Sequence, residues 1–240
     1  MYLLYYPVYF LIGLCMGSFL SLCADRLSRG ESLLWPPSHC DRCGARLGLL
    51  DLVPLWSYWR SGGRCRKCGV KLPRRLWQQE LAAGFLFLLL GLGKGPSAAL
   101  FFLYFFVSCL LITIWLDWQE QYIYDCILGV LLAGGLVRAI YFGSLPQALL
   151  GALVLGILMG GIYLAARGGM GLGDVKLCAV LSIWIGVEGG LWCLFLSSLF
   201  GILGAGILHL VRHRSLKEPL PYAPFLCGSA LVVYLAAGNL

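Results

Sequence analysis

VKLCAVLSIWIGVEGGLWCLFLSSLFGILGAGIL, residues 175–208, is too long for one membrane crossing and short for two. A helix needs about 20 apolar residues to traverse the hydrocarbon core. Past Lys176 the only charged interruption is Glu188-Gly189-Gly190, a charge followed by two residues that readily turn a chain. We read a short helix over 175–187, a turn at 188–190 and a longer helix over 189–211, interrupted only by His209. This choice decides the side on which the basic loop 212–218, with Arg212, Arg214 and Lys217, emerges.

Four further uncharged runs, 1–24, 95–116, 139–166 and 219–240, each reach spanning length. Weaker spans are 77–93, polar only at Gln78, Gln79 and Glu80, and 126–142, which carries Arg138. The first run reads as a retained helix, because no Lys or Arg precedes it and no small-residue cleavage site follows. Together these make about eight transmembrane helices, with turns at 93–97, 143–146 and 188–190 on one side. Of the 18 basic residues only Lys94 and Arg138 fall on that side. Lys and Arg accumulate in cytoplasmic loops, so the N-terminus is expected outside, with 23–76, 117–125, 167–176 and 212–218 in the cytoplasm. Dropping the short helix would send the last basic loop outside.

Composition agrees: 60% of residues are hydrophobic and 12% charged, against about 25% charged in soluble domains. The predicted class is an all-α polytopic membrane protein. Its net charge of +7 is explained by topology and contact with anionic membrane lipid, with no nucleic acid required. The expected organisation is a first helix over 1–22, a cytoplasmic domain over 23–76 and a membrane core over 77–240.

The cytoplasmic segment contains HCDRCG and GRCRKCG, which place Cys40, Cys43, Cys65 and Cys68 in two CxxC pairs separated by 21 residues. Two such pairs fit a four-thiolate structural zinc site, and each ends in a glycine, Gly44 or Gly69, where the chain must turn sharply. A segment this small has little core, so a metal would supply folding energy. Metal-free reduced cysteines and a redox dithiol are the alternatives; the other seven cysteines read as small buried hydrophobes. Between the pairs, DLVPLWSY suggests a small core with Trp56, Tyr58 and Trp59 at the membrane interface, or a substrate contact.

Two acids share the expected cytoplasmic face. Asp117 closes one apolar helix and Asp174, in GLGD, opens another. Acids beside spans are costly and usually mark a pathway or a reactive site. Two opposed carboxylates can hydrolyse a peptide bond, one taking a proton from water while the protonated other polarises the carbonyl. Gly171 and Gly173 would let the backbone bend and a peptide approach Asp174, and Lys176 completes that loop. A lone acid at a helix start is more often a cap. Asp125 reads as a cap for the helix beginning near 126 and Glu120 as solvated. Glu80 needs a partner, expected among Lys71, Arg74 and Arg75, or a charged ligand.

These motifs, with GSFLSLCADRL (17–27), ELAAG (80–84), LDWQEQYIYD (116–125) and PYAPFL (221–226), resemble the type IV prepilin peptidases, bifunctional GxGD-type aspartic proteases of bacterial inner membranes. The resemblance covers most of the chain. It implies that Asp117 and Asp174 are the catalytic pair and that the substrates are prepilins or pseudopilins of type IV pilus or type II secretion systems. It further implies leader cleavage at the cytoplasmic face, then methylation of the new N-terminus from S-adenosylmethionine, with 23–76 implicated in the second reaction. The chain departs from the family at Ser21, Ser28, Gln119 and Tyr124, where Asn, Pro, Asp and Pro are usual. Pro219, Pro221 and Pro224 are consistent with unwinding a helical substrate.

A proton- or ion-coupled transporter is the alternative class; it predicts midplane acids and internal repeats. A scaffold whose zinc knuckle docks a partner leaves GLGD unexplained.

Overall fold

The computed structural model describes residues 2–166, 170–212 and 221–238. Among them there is no β-strand beyond two isolated bridges. The helices are α1 (Tyr6–Ser28), α2 (Trp56–Arg60), α3 (Arg75–Gly91), α4 (Ala98–Glu120), α5 (Asp125–Tyr141), α6 (Leu145–Ala165), α7 (Leu172–Arg212) and α8 (Ala223–Ala236). Four stretches, Leu3–Ser28, Ala98–Glu120, Leu145–Ala165 and Leu172–Ile207, are long and apolar enough to cross a membrane. α3 and α5 have 17 residues each, at the lower limit for a span.

The chain forms two compact units, Met1–Leu100 and Phe101–Leu240. In the first, α1 and α3 pack antiparallel at nearly backbone distance. A Cβ on Gly13 would lie 2.6 Å from the Ala83 carbonyl oxygen, and one on Gly17 would lie 2.9 Å from the Glu80 Cα. The glycine of GSF is therefore a close-packing residue, as small residues at membrane helix crossings commonly are. At the end bearing the cysteine segment, the Ser21 hydroxyl donates to Gln79 Oε1 at 2.8 Å and Asp25 pairs with Arg75 at 3.0 Å. Buried Arg26 donates to the Ser32, Leu33 and Pro36 carbonyls, tying down the chain that leaves α1.

Gly13→Ala is expected to lower the melting temperature, since overpacking against unyielding backbone costs about 1–3 kcal/mol. Gly129→Ala, where a Cβ meets nothing within 4 Å, should not. Thermal unfolding of both variants in detergent checks the contrast.

In the second unit, α7 packs against α5, α6 and α8. Gly186, at φ 72° and ψ −175°, breaks it. A Cβ on Gly190 would lie 2.7 Å from the Ser182 hydroxyl, whereas residues eight apart in a straight helix are separated by about 12 Å. The chain therefore folds back at Gly186. The expected reversal exists, but it sits at Gly186 rather than at 188–190, because only glycine takes this backbone readily. Gly151 fits beneath it, its would-be Cβ 2.6 Å from the Ser182 carbonyl.

Near the reversal, buried Arg138 lies over the Tyr234, Phe142 and Trp184 rings at 5.1, 5.6 and 6.0 Å and donates to the Tyr234 hydroxyl at 3.1 Å. Aromatic faces and hydroxyl thus accommodate the cation that made 126–142 a weak span in sequence. The opposite end of the unit gathers the end of α4 and the starts of α5, α7 and α8.

Candidate active site

An acid near a helix C-terminus faces the negative end of the helix dipole. Asp117 occupies that position on α4 and is only 5% exposed. Its compensation comes from elsewhere: the Ala223 backbone N–H, in the first turn of α8, donates to Asp117 Oδ2 at 3.1 Å. Just beyond, Gln121 takes a left-handed conformation, φ 54°, and donates its N–H to the Asp117 carbonyl at 2.9 Å, which ends α4.

Asp174 lies in the first turn of α7. Its N–H donates to the Gly171 carbonyl at 3.2 Å, while the Gly171 amide acts on its carboxylate. This reciprocal pattern is that of a helix cap, so the capping role expected for a lone acid is real. It does not exhaust the residue, because the Asp117 charge also acts on Asp174, and buried Cys227 in α8 feels both carboxylates. The structure thus brings together the two acids singled out in sequence.

The glycines divide. A Cβ on Gly173 would lie 3.1 Å from Ile123 Cβ, so this glycine serves packing between the two loops. A Cβ on Gly171 would lie 3.4 Å from Asp174 Oδ2, so glycine here leaves the carboxylate's flank open. Arg167, Gly168 and Gly169, the loop 213–218 and Pro219 lie outside the described residues, and nothing is described of the Arg212 side chain.

Two expectations change, those for Asp125 and Glu80, while Glu120 is exposed as expected. Asp125 is the first residue of α5, and among the described residues its side chain makes no cap hydrogen bond; it pairs with Lys176 at 2.7 Å. The position before the helix, where a cap would sit, is Tyr124. Glu120 accepts the Tyr124 hydroxyl at 2.7 Å, and that hydrogen bond is the main cause pushing the Tyr124 phenol up to about 12. Glu80 pairs with none of Lys71, Arg74 or Arg75 among the described residues; its Oε2 accepts the Leu55 backbone N–H at 2.8 Å, and Arg75 is engaged by Asp25. Sequence reasoning missed the Ala223 amide altogether, since every residue but proline has one.

Both members of the Lys176–Asp125 pair are exposed, and such pairs contribute about 0–1 kcal/mol. A double-mutant cycle with Lys176→Ala and Asp125→Ala, read by thermal unfolding, should give a coupling within that range. A larger coupling would assign the pair a structural role in the site.

In the first unit the Cys40, Cys43, Cys65 and Cys68 sulfurs lie within 4.8 Å of one another, with Cys40 and Cys68 3.8 Å apart. Tetrahedral zinc with bonds of about 2.3 Å sets its sulfurs about 3.8 Å apart. Two matching knuckles create this array: the Gly44 N–H donates to the Cys40 carbonyl and the Gly69 N–H to the Cys65 carbonyl, with Gly44 at φ 66° and Gly69 at φ 70°. Backbone N–H groups of Cys68 and Lys67 hold the Cys65 thiol down at about 6. Donor set and spacing fit one zinc ion.

Comparison with known proteins gives a consistent assignment. The model described as Bacterial Peptidase A24 N-terminal domain matches residues 11–93, and that of the Type IV leader peptidase family matches residues 104–206. A prepilin leader peptidase/N-methyltransferase from Bacillus subtilis is 30% identical over 232 residues, covering 95% of this chain and 93% of the relative. One from Dickeya chrysanthemi is 31% identical over 249 residues, covering 91% and 88%. One from Pseudomonas aeruginosa is 27% identical over 262 residues, covering 94% and 88%. No solved structure matches.

Proposed function

The chain belongs to the type IV leader peptidase family, and from that premise we propose that it cleaves the leader from prepilins or pseudopilins and then methylates the exposed N-terminus. The observation that carries the peptidase reading is the approach of Asp117 and Asp174 at the ends of α4 and α7.

In the proposed reaction one carboxylate removes a proton from water while the other, protonated, donates a hydrogen bond to the scissile carbonyl. Water adds to the carbonyl carbon. Collapse of the tetrahedral species breaks the C–N bond, and the leaving nitrogen takes up a proton. The Ala223 amide holds one oxygen of Asp117 in place, and Gly171 leaves room beside Asp174 for an extended peptide. Lys176 and Asp125 link the loops carrying the acids.

Zinc held by Cys40, Cys43, Cys65 and Cys68 would act as a structural crosslink in the cytoplasmic domain 23–76. S-adenosylmethionine enters as a substrate, the methyl donor. The chain is multi-pass, and we propose eight crossings, the N-terminus outside and the active site at the cytoplasmic face of the bacterial inner membrane. The basic-residue asymmetry and the fold-back at Gly186 support that topology. A transporter is not supported: both acids lie at helix ends, and the relatives carry the peptidase and methyltransferase name.

Incubating the purified protein with a synthetic prepilin, with and without S-adenosylmethionine, and weighing the products tests both steps. The trimmed chain should appear in each case, with the mass of one added methyl only when donor is present. An unchanged substrate mass would overturn the reading.

A further inference from the structure

Glu80 is a buried carboxylate, 9% exposed, that no cation neutralises among the described residues. A buried charge without a partner is expensive, and such groups usually mark a reactive or binding position. One oxygen is occupied by the Leu55 N–H. Leu55 sits at φ 59°, a conformation that costs a branched residue about 1–3 kcal/mol and persists where the surroundings enforce it. The strained residue opens α2, directly after DLVP in the segment between the two cysteine pairs. One helical turn along α2, Tyr58 meets Trp77 of α3 with ring centroids 6.3 Å apart. Trp77 precedes Glu80 by three residues and so shares its helix face. Both aromatic residues are partly exposed.

A buried carboxylate within one helical turn of an aromatic pair is a constellation that suits an organic cation. Methyl transfer to a trimmed prepilin involves three, the sulfonium and the α-ammonium of the donor and the new N-terminal ammonium. Of these only the new N-terminal ammonium must lose a proton before its nitrogen can take the methyl group, and a carboxylate beside it supplies the base. Resting on the methyltransferase reading above, we infer that Glu80 is a catalytic residue of the second reaction, binding the N-terminal ammonium and accepting its proton. The freed nitrogen lone pair forms the N–C bond to the donor methyl as the C–S bond breaks. That bond's electron pair stays on sulfur, leaving a neutral thioether and a methylated amine.

Glu80→Gln is the informative variant, because its amide oxygen can still accept the Leu55 N–H while the charge and the base are gone. With pre-trimmed peptide and S-adenosylmethionine, methylation should fall at least a hundredfold at neutral pH. It should recover as pH rises past the α-amino value of about 8, where free amine no longer needs a base. The melting temperature should stay near that of the wild type; if it falls sharply, Glu80→Asp, which keeps the base, must restore methylation or the inference is wrong. Wild-type methylation rates in Glu80→Gln overturn it, and so does a defect confined to the KM of the donor without recovery at high pH. Failure of the wild type to methylate would instead defeat the functional reading beneath it.

Discussion

Asp117→Asn and Asp174→Asn should each reduce leader cleavage on the order of a thousandfold or more, and the double variant should be no worse than either single one. Groups that act as a unit show this non-additivity, because removing one already abolishes the step that both perform. Asparagine is nearly isosteric with aspartate and its amide oxygen can keep the Ala223 hydrogen bond, so loss of activity would report chemistry rather than release of α8 from α4. Glu120→Gln and Asp125→Asn are the matched controls: both acids are exposed in the same loop, paired with Tyr124 and Lys176. They should leave cleavage within a few-fold of wild type. The measurement is single-turnover cleavage of a synthetic prepilin followed by mass. Substantial cleavage by either dyad variant would remove Asp117 and Asp174 from the mechanism.

The sequence made this pair legible because spanning runs, turns and basic residues together put both acids at one end of the helices, and the fold of the second unit gathers their helix ends as expected. What it hid were partnerships made by the backbone. The Ala223 amide on Asp117 and the Leu55 amide on Glu80 have no side-chain signature, so a rule matching acids to nearby Lys and Arg sent Glu80 to the wrong partners. The reversal in α7 was placed late for a related reason. Glu188-Gly189-Gly190 looks like a turn, yet a single glycine in the right conformation suffices, and Gly186 provides it while Gly189 and Gly190 serve close packing. Asp125 was misread because a helix-start acid is assumed to cap; here the helix begins on it and its charge reaches Lys176.

Removing zinc should unfold the cysteine domain, because little else holds it. Between residues 30 and 74 only Cys40 and Gly63 are buried, while Leu34, Leu49, Trp56 and Trp59 are exposed. A segment with so little apolar core cannot offset the conformational entropy of ordering it. A structural zinc site supplies about 10–16 kcal/mol of coupled binding and folding energy, enough to reverse that balance. The purified protein is therefore expected to carry about one zinc per chain. Cys40→Ser or Cys65→Ser should lose it, since a hydroxyl stays protonated where a thiolate is required. Binding should weaken as pH falls, because protons compete for all four sulfurs; Cys65 is held down at about 6 by the Cys68 and Lys67 amides. Metal analysis paired with limited proteolysis checks the coupling: loss of zinc should expose cleavage sites between Cys40 and Cys68 and abolish methyl transfer. A metal-free protein whose segment resists protease would mean that the two knuckles are held by contacts other than a shared ion.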